Sequence, residues 1–343
     1  MSGKLQRLIN GKGVLLADGA TGTNFFNMGL QSGDAPELWN EDAPEKVIAL
    51  HKSFVDAGSD IILTNTFGGT RNRLKLHHAE GRARELNKRA AEIACSVARE
   101  SDREVVVAGS VGPTGELFEP LGELTRDMAI ESFTEQMEGL KEGGADVLWI
   151  ETMSAREEID AATEAARQAG MDYIFTASFD TAGRTMMGVP PSELGTLGAA
   201  MTPPPVAVGA NCGVGATDLL FSILDLTAEG PCASGGHIAV IAKANCGVPK
   251  IKGDEVVYSG TPELMARYAQ LAIDAGARII GGCCGTAPEH LAAMRAAIDA
   301  HNGGARPTLE EVVAGTGQLV NAIAEATSDN SDKSSGRRRG RRR

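Results

Sequence analysis

Aromatic residues make up only 4% of the 343 residues, with two tryptophans and three tyrosines. That scarcity argues against a site that depends on an aromatic cage. The sequence also has no stretch of about 18 uninterrupted apolar residues. Its start, Met1-Ser2-Gly3-Lys4-Leu5-Gln6-Arg7-Leu8-Ile9-Asn10, shows neither the apolar run nor the small-residue cleavage site of a secretory signal. The expectation is a soluble, cytoplasmic protein with no membrane partner. None of the six cysteines forms a Cys-x-x-Cys pair, which counts against a four-ligand structural zinc site, and their number outside a secretory context speaks for free thiols or metal ligands. His51, His77, His78, His237, His290 and His301 are scattered without metal-binding spacing.

Charge of one sign is also scarce where it would matter for nucleic acid. From Ser328 onward, Lys333 and six arginines stand against Asp329 and Asp332, a net of +5 within a chain of -12, so the body carries -17. An acidic body is a poor platform for phosphate backbones, which makes nucleic acid an unfavoured main partner. The Arg-rich tail, 328–343, reads as a disordered segment, and a non-enzymatic binding protein acting through it is the contrasting functional class.

What is abundant is glycine, with 42 residues, and 42% hydrophobic content arranged in short runs. Val14-Leu15-Leu16-Ala17, Ile61-Ile62-Leu63, Val105-Val106-Val107-Ala108, Val147-Leu148-Trp149-Ile150, Tyr173-Ile174-Phe175-Thr176-Ala177, Pro205 to Ala210, Ile238 to Ala242 and Arg278 to Gly282 read as eight buried strands. Helical periodicity follows each, over about 44–58, 82–100, 126–142, 155–169, 192–200, 218–226, 262–275 and 287–300. Eight βα units with apolar strands predict an α/β fold, a (β/α)8 TIM barrel spanning 1–301. An open doubly wound sheet is the alternative, but no Gly-x-Gly-x-x-Gly turn follows the first strand. Residues 302–327 are expected to form a C-terminal extension, with a helix over about 309–326.

The chemistry concentrates at strand ends. Gly281-Gly282-Cys283-Cys284-Gly285 places two adjacent thiols after the eighth strand, where neighbouring Cα atoms ~3.8 Å apart make a poor disulfide. Cys212 ends the sixth strand, and in a closed barrel the two ends converge over the mouth. Three thiolates suggest zinc with a fourth position open. Such a centre suits the binding and activation of a substrate thiol, and so alkyl transfer onto sulfur. Asp18 and Glu151, also at strand ends, are placed to bind an ammonium group, and the amides around Gly19 and Ala20 to take a carboxylate. An amino-acid thiol would satisfy all three features. Cys95, Cys232 and Cys246 read as core residues.

These residues resemble a known pattern. Gly209-Ala210-Asn211-Cys212 with Gly281 to Thr286, together with Asp18 to Thr23, Leu63 to Gly68, Gly112 to Leu117 and Ile150-Glu151-Thr152, are similar to the homocysteine S-methyltransferase family over about 13–301. The resemblance implies a zinc-dependent barrel that methylates homocysteine to methionine. Cys212, Cys283 and Cys284 would bind Zn2+, Asp18 and Glu151 the amino group, and the turn after Asp18 the carboxylate. Asn245 stands where the cobalamin-dependent methionine synthases resembled here have a residue able to occupy the open zinc position without substrate. One betaine-using member carries tyrosines where this chain has Gly68 and Thr152. The leading expectation is therefore a methyl donor carried by a separate methyl-corrinoid protein, with betaine or S-methylmethionine as alternatives.

Overall fold

The computed structural model describes residues 3–247, 249–252 and 255–321. Strands β1 (Leu15–Leu16), β2 (Ile61–Leu63), β3 (Val106–Val111), β4 (Val147–Met153), β5 (Tyr173–Ala177), β6 (Ala207–Cys212), β7 (Ala239–Ala244) and β10 (Ile279–Gly282) form one parallel sheet in the order β1-β10-β7-β6-β5-β4-β3-β2. A parallel bridge between Ala17 and Ile61 brings its edges together, and the Asp60 amide donates to the Leu16 carbonyl at 2.6 Å. The eight βα units therefore wrap into the expected barrel.

Alternation along each strand sorts the residues into two layers. Leu15, Ile61, Val106, Trp149, Ile174 and Ile241 fill the barrel interior. Their neighbours Leu16, Ile62, Val107, Leu148, Phe175 and Val240 pack against the helices. The buried helical stripes match: Pro44–Asp56, with proline in its first turn, buries Val47, Leu50 and Phe54. Nearer the mouth the inward series turns polar, with Ser110, Glu151, Thr176, Asn211 and Lys243 all buried. Trp149 Nε1 donates to Thr176 Oγ1 at 3.2 Å, which joins the apolar layers to this polar one.

Several features depart from the sequence reading. A helix, Lys4–Lys12, packs Leu5, Leu8 and Ile9 onto the interior cluster and so closes the bottom of the barrel. An antiparallel hairpin, β8 (Pro249–Lys252) and β9 (Glu255–Tyr258), is inserted between β7 and the helix Pro262–Asp274. The expected helix from Leu309 stops at Thr316, because Gly317 (φ 103°) takes a left-handed conformation that ends it. The amides of Val320 and Asn321 then donate to the Asp218 carboxylate. The Arg-rich tail lies outside the described residues.

At the bottom face Asp60, 1% exposed, accepts from the Leu16 amide at 2.9 Å and pairs with Lys12 at 2.6 Å, Arg295 at 3.1 Å and Arg103 at 3.4 Å. Asp60→Asn leaves three cations around a neutral group. It should lower unfolding free energy in urea by about 3 kcal/mol, with metal binding unchanged; a loss below a few tenths would show that the cluster contributes little.

Candidate functional site

β6 and β10 flank β7, and their ends deliver the thiols. Cys212 pairs in register with Ala244, as does Gly282, directly before Cys283. The three sulfurs of Cys212, Cys283 and Cys284 lie within 4.8 Å of one another, with Cys212 Sγ 4.0 Å from Cys284 Sγ. Tetrahedral zinc with bonds of ~2.3 Å spaces its sulfurs ~3.8 Å apart, so the donor set fits such an ion. All six cysteines are free, and the other three, Cys95, Cys232 and Cys246, are buried.

The electrostatics point the same way. Hydrogen bonding with Cys212 and Cys283 holds the Cys284 thiol well below its ordinary range, aided by Tyr258 and by the charge of Lys243. Hydrogen bonding with Cys283 and with Cys284, together with burial, pushes the Cys212 thiol far up. Loss of all three protons puts like charges side by side, which a multivalent cation offsets.

Local backbone geometry positions these groups. Cys212 and Thr152 both adopt left-handed φ of 63°, a conformation costing a non-glycine residue about 1–3 kcal/mol. The β4–β5 register shifts between Ile150 and Met153, which re-aims the strand at Glu151 and Thr152. Asn211 secures the bend: its side-chain oxygen accepts from the Thr152 amide at 2.8 Å and its nitrogen donates to Thr152 Oγ1 at 2.7 Å. Asn245 Oδ1 accepts from the Cys284 amide at 3.0 Å, and its Nδ2 donates to the Gly213 carbonyl. Its amide thus braces both thiol-bearing strand ends.

Both expected carboxylates face the same space. Asp18 is 1% exposed; its Oδ2 accepts from the Leu63 amide at 2.7 Å, while Oδ1 has no hydrogen bond. Glu151, 7% exposed, accepts from Ser110 Oγ. Burial pushes Asp18 up to about 6 and Glu151 up to about 7, against the opposing charge of Lys243. The turn after Asp18 is tied to the segment after β10. The Ala20 amide donates to the Thr286 carbonyl at 3.0 Å, because the segment after β10 folds back over the turn. Gly19 contributes its carbonyl, which accepts from Lys243 at 3.3 Å. The Gly19 amide, and those of Thr21 and Gly22 in the first turn of the helix Thr21–Asn27, point to no intrahelical acceptor.

Sequence reasoning missed Lys243, Ser110 and Tyr258. The inward alternation Ala239, Ile241, Lys243 was the available signal for the lysine. Tyr258 arrives on the inserted hairpin, and its ring lies so close to Gly285 (φ 78°) that a Cβ there would stand 2.2 Å from it. Thiols, carboxylates and Tyr258 line one cavity of about 1160 Å³, which extends outward to Phe67 and Arg73.

The raised carboxyls make a stability prediction. Between the ordinary carboxyl range and pH 7 the folded protein binds the extra proton at Glu151, so its contribution to stability falls as pH rises through about 7. Glu151→Gln removes that loss. Zinc-free E151Q should melt ~2 °C or more above the parent at pH 8 and no higher at pH 4.5; equal melting at both values would contradict the burial argument.

An α/β barrel with thiols and carboxylates at the C-terminal ends of its strands is the architecture of an enzyme, and the comparisons make it a methyltransferase. The profile of the homocysteine S-methyltransferase family matches residues 15–298, and the chain belongs to that family. It is 30% identical to a methionine synthase of Mycobacterium leprae over 317 residues, covering 88% of this chain and 26% of that protein. With a methionine synthase of Mycobacterium tuberculosis the values are 29% over 302 residues, 83% and 24%. The chain spans about a quarter of the length of these relatives. Among solved structures, the metallated form of the homocysteine methyltransferase MmuM from Escherichia coli shares the fold, with a TM-score of 0.70 at 24% identity over 85% of this chain and 99% of that one. Among the described residues no helix is long and apolar enough to cross a membrane.

Proposed function

We propose that the chain is a zinc-dependent homocysteine S-methyltransferase that forms methionine. The observation that carries this reading is the convergence of three thiols and two buried carboxylates on one cavity. Cys212, Cys283 and Cys284 are the residues that would hold zinc, Asn245 bracing two of them. Zinc bound there would accept the substrate thiol at its open position and lower that thiol's pKa, keeping it nucleophilic at neutral pH. Asp18 Oδ1 and Glu151 receive the homocysteine ammonium, and the amides of Thr21 and Gly22 its carboxylate. These contacts fix the sulfur for in-line attack on the methyl carbon. The new carbon–sulfur bond forms as the methyl–donor bond breaks, its electron pair leaving with the donor.

For the donor we favour a separate methyl-corrinoid protein, which the likeness to methionine synthases supports. The Gly68 amide donates to the buried Glu37 carboxylate, and a Cβ at Gly68 would stand 2.9 Å from that oxygen, so the tyrosine of one betaine-using member could be placed here only if the Glu37 carboxylate moved. A second reading is a small onium donor such as betaine or S-methylmethionine, and the observation favouring it is that Phe26, Phe67 and Tyr258 line the cavity. Zinc-loaded protein given homocysteine and, separately, a methyl-corrinoid protein, betaine or S-methylmethionine should form methionine with the first. Turnover with betaine alone would move the assignment to the second reading, and no methionine with any donor would overturn the function.

A further inference from the structure

Lys243 is the one lysine or arginine buried among the described residues, at 3% exposure. It stands on β7 between the packed interior and the cavity, and no step proposed above uses it. Its ammonium donates to the Gly282 carbonyl at 2.6 Å and the Gly19 carbonyl at 3.3 Å, and faces Asp18 Oδ1 at 3.4 Å. Gly282 directly precedes Cys283, and Gly19 directly follows Asp18. An ammonium has three donors and no acceptor; the two carbonyls take two of them, and the charge pairs with Asp18 without a hydrogen bond to Oδ1. It is a fastener between the segment that carries a thiol and the segment that carries a carboxylate.

A buried charge is costly, and an apolar side chain of similar volume could fill the same layer. What the charge supplies is visible at Asp18. One carboxylate oxygen is fixed by the Leu63 amide; the other has no hydrogen bond and lies beside Lys243 at the cavity wall. It keeps acceptor capacity for an incoming donor, while the lysine prevents the carboxylate from turning away.

We propose that Lys243 is a positioning residue for recognition of the substrate's amino group: it ties the Asp18 turn to the Cys283 strand end and aims Asp18 Oδ1 at the incoming ammonium. The site thereby selects amino-acid thiols over thiols that lack the amino group. This rests on the homocysteine reading, and the test separates the two. Calorimetric titration of the zinc-loaded full chain compares L-homocysteine with 4-mercaptobutyrate, which has the same thiol and carboxylate but no amino group.

The parent should prefer homocysteine by about a hundredfold or more. In Lys243→Met the preference should shrink to within about threefold, chiefly through weaker homocysteine binding, with one zinc per chain retained. Lys243→Arg, which keeps the charge, should restore about tenfold of the preference or more. Lys243→Gln, still a hydrogen-bond donor but uncharged, should behave like K243M and takes its place if K243M does not fold. A lysine with a merely structural role would weaken both ligands alike. Retention of the full preference in the uncharged variants, or equal weakening of both ligands, overturns the proposal. A parent that binds neither thiol overturns the homocysteine reading, and this inference with it.

Discussion

Cys283→Ser should lose zinc and methyl transfer together while the barrel stays folded. The Cys283 side chain lies at the mouth, half-buried, beyond the packed strand layers, and its amide bond to the Ala244 carbonyl at 2.6 Å is made by backbone and survives the change. The substitution removes one of three thiols clustered within 4.8 Å, and serine is a hard, weakly acidic donor in place of a soft thiolate. Disturbing only the hydrogen-bond partners of a metal's ligands costs about 10–100-fold in affinity or activity, so loss of a ligand should exceed the upper end of that range. Zinc content by atomic absorption should fall well below one per chain, methionine formation should drop by more than about a hundredfold, and far-ultraviolet circular dichroism should be unchanged. Full zinc content with undiminished activity would remove Cys283 from the ligand set.

Asp18→Asn should act on the other half of the site. The asparagine oxygen can still accept from the Leu63 amide, so the turn after β1 keeps its anchor. What is lost is the negative charge between Lys243, at 3.4 Å, and the proposed position of the substrate ammonium. Breaking a buried ion pair on one side costs about 3 kcal/mol or more, which corresponds to above a hundredfold in affinity. The homocysteine dissociation constant should rise by that factor at unchanged zinc content. A change within about threefold would place the amino group elsewhere.

The thiols could be read in advance because adjacent cysteines framed by glycines at a strand end have no comfortable packing or disulfide role, and because Cys212 ends a strand two places away in the sheet. Asp18 and Glu151 were visible for the same reason: in a parallel barrel the position after a strand opens on the mouth. Contacts supplied by distant chain segments were not legible. That the Ala20 amide is taken depends on the Thr286 carbonyl folding back over it. Tyr258 reaches the site on a hairpin that interrupts the βα alternation. The left-handed turns at Thr152 and Cys212 run against the preference of those residue types, so only the tertiary clasp by Asn211 explains the first of them. Lys243 was masked by its charge. Its place in the inward series of β7 follows from alternation alone, yet a lysine there reads as exposed until Gly282 and Asp18 are seen around it.

The proposed function depends above all on zinc held by Cys212, Cys283 and Cys284 with one position kept for the substrate's sulfur. Zinc K-edge X-ray absorption on the loaded protein, before and after addition of homocysteine, tests it most directly. Three sulfur neighbours at ~2.3 Å and one lighter atom are expected before addition, and four sulfurs after it. A first coordination shell that homocysteine leaves unchanged, or one that already holds four sulfurs without it, would contradict the assignment.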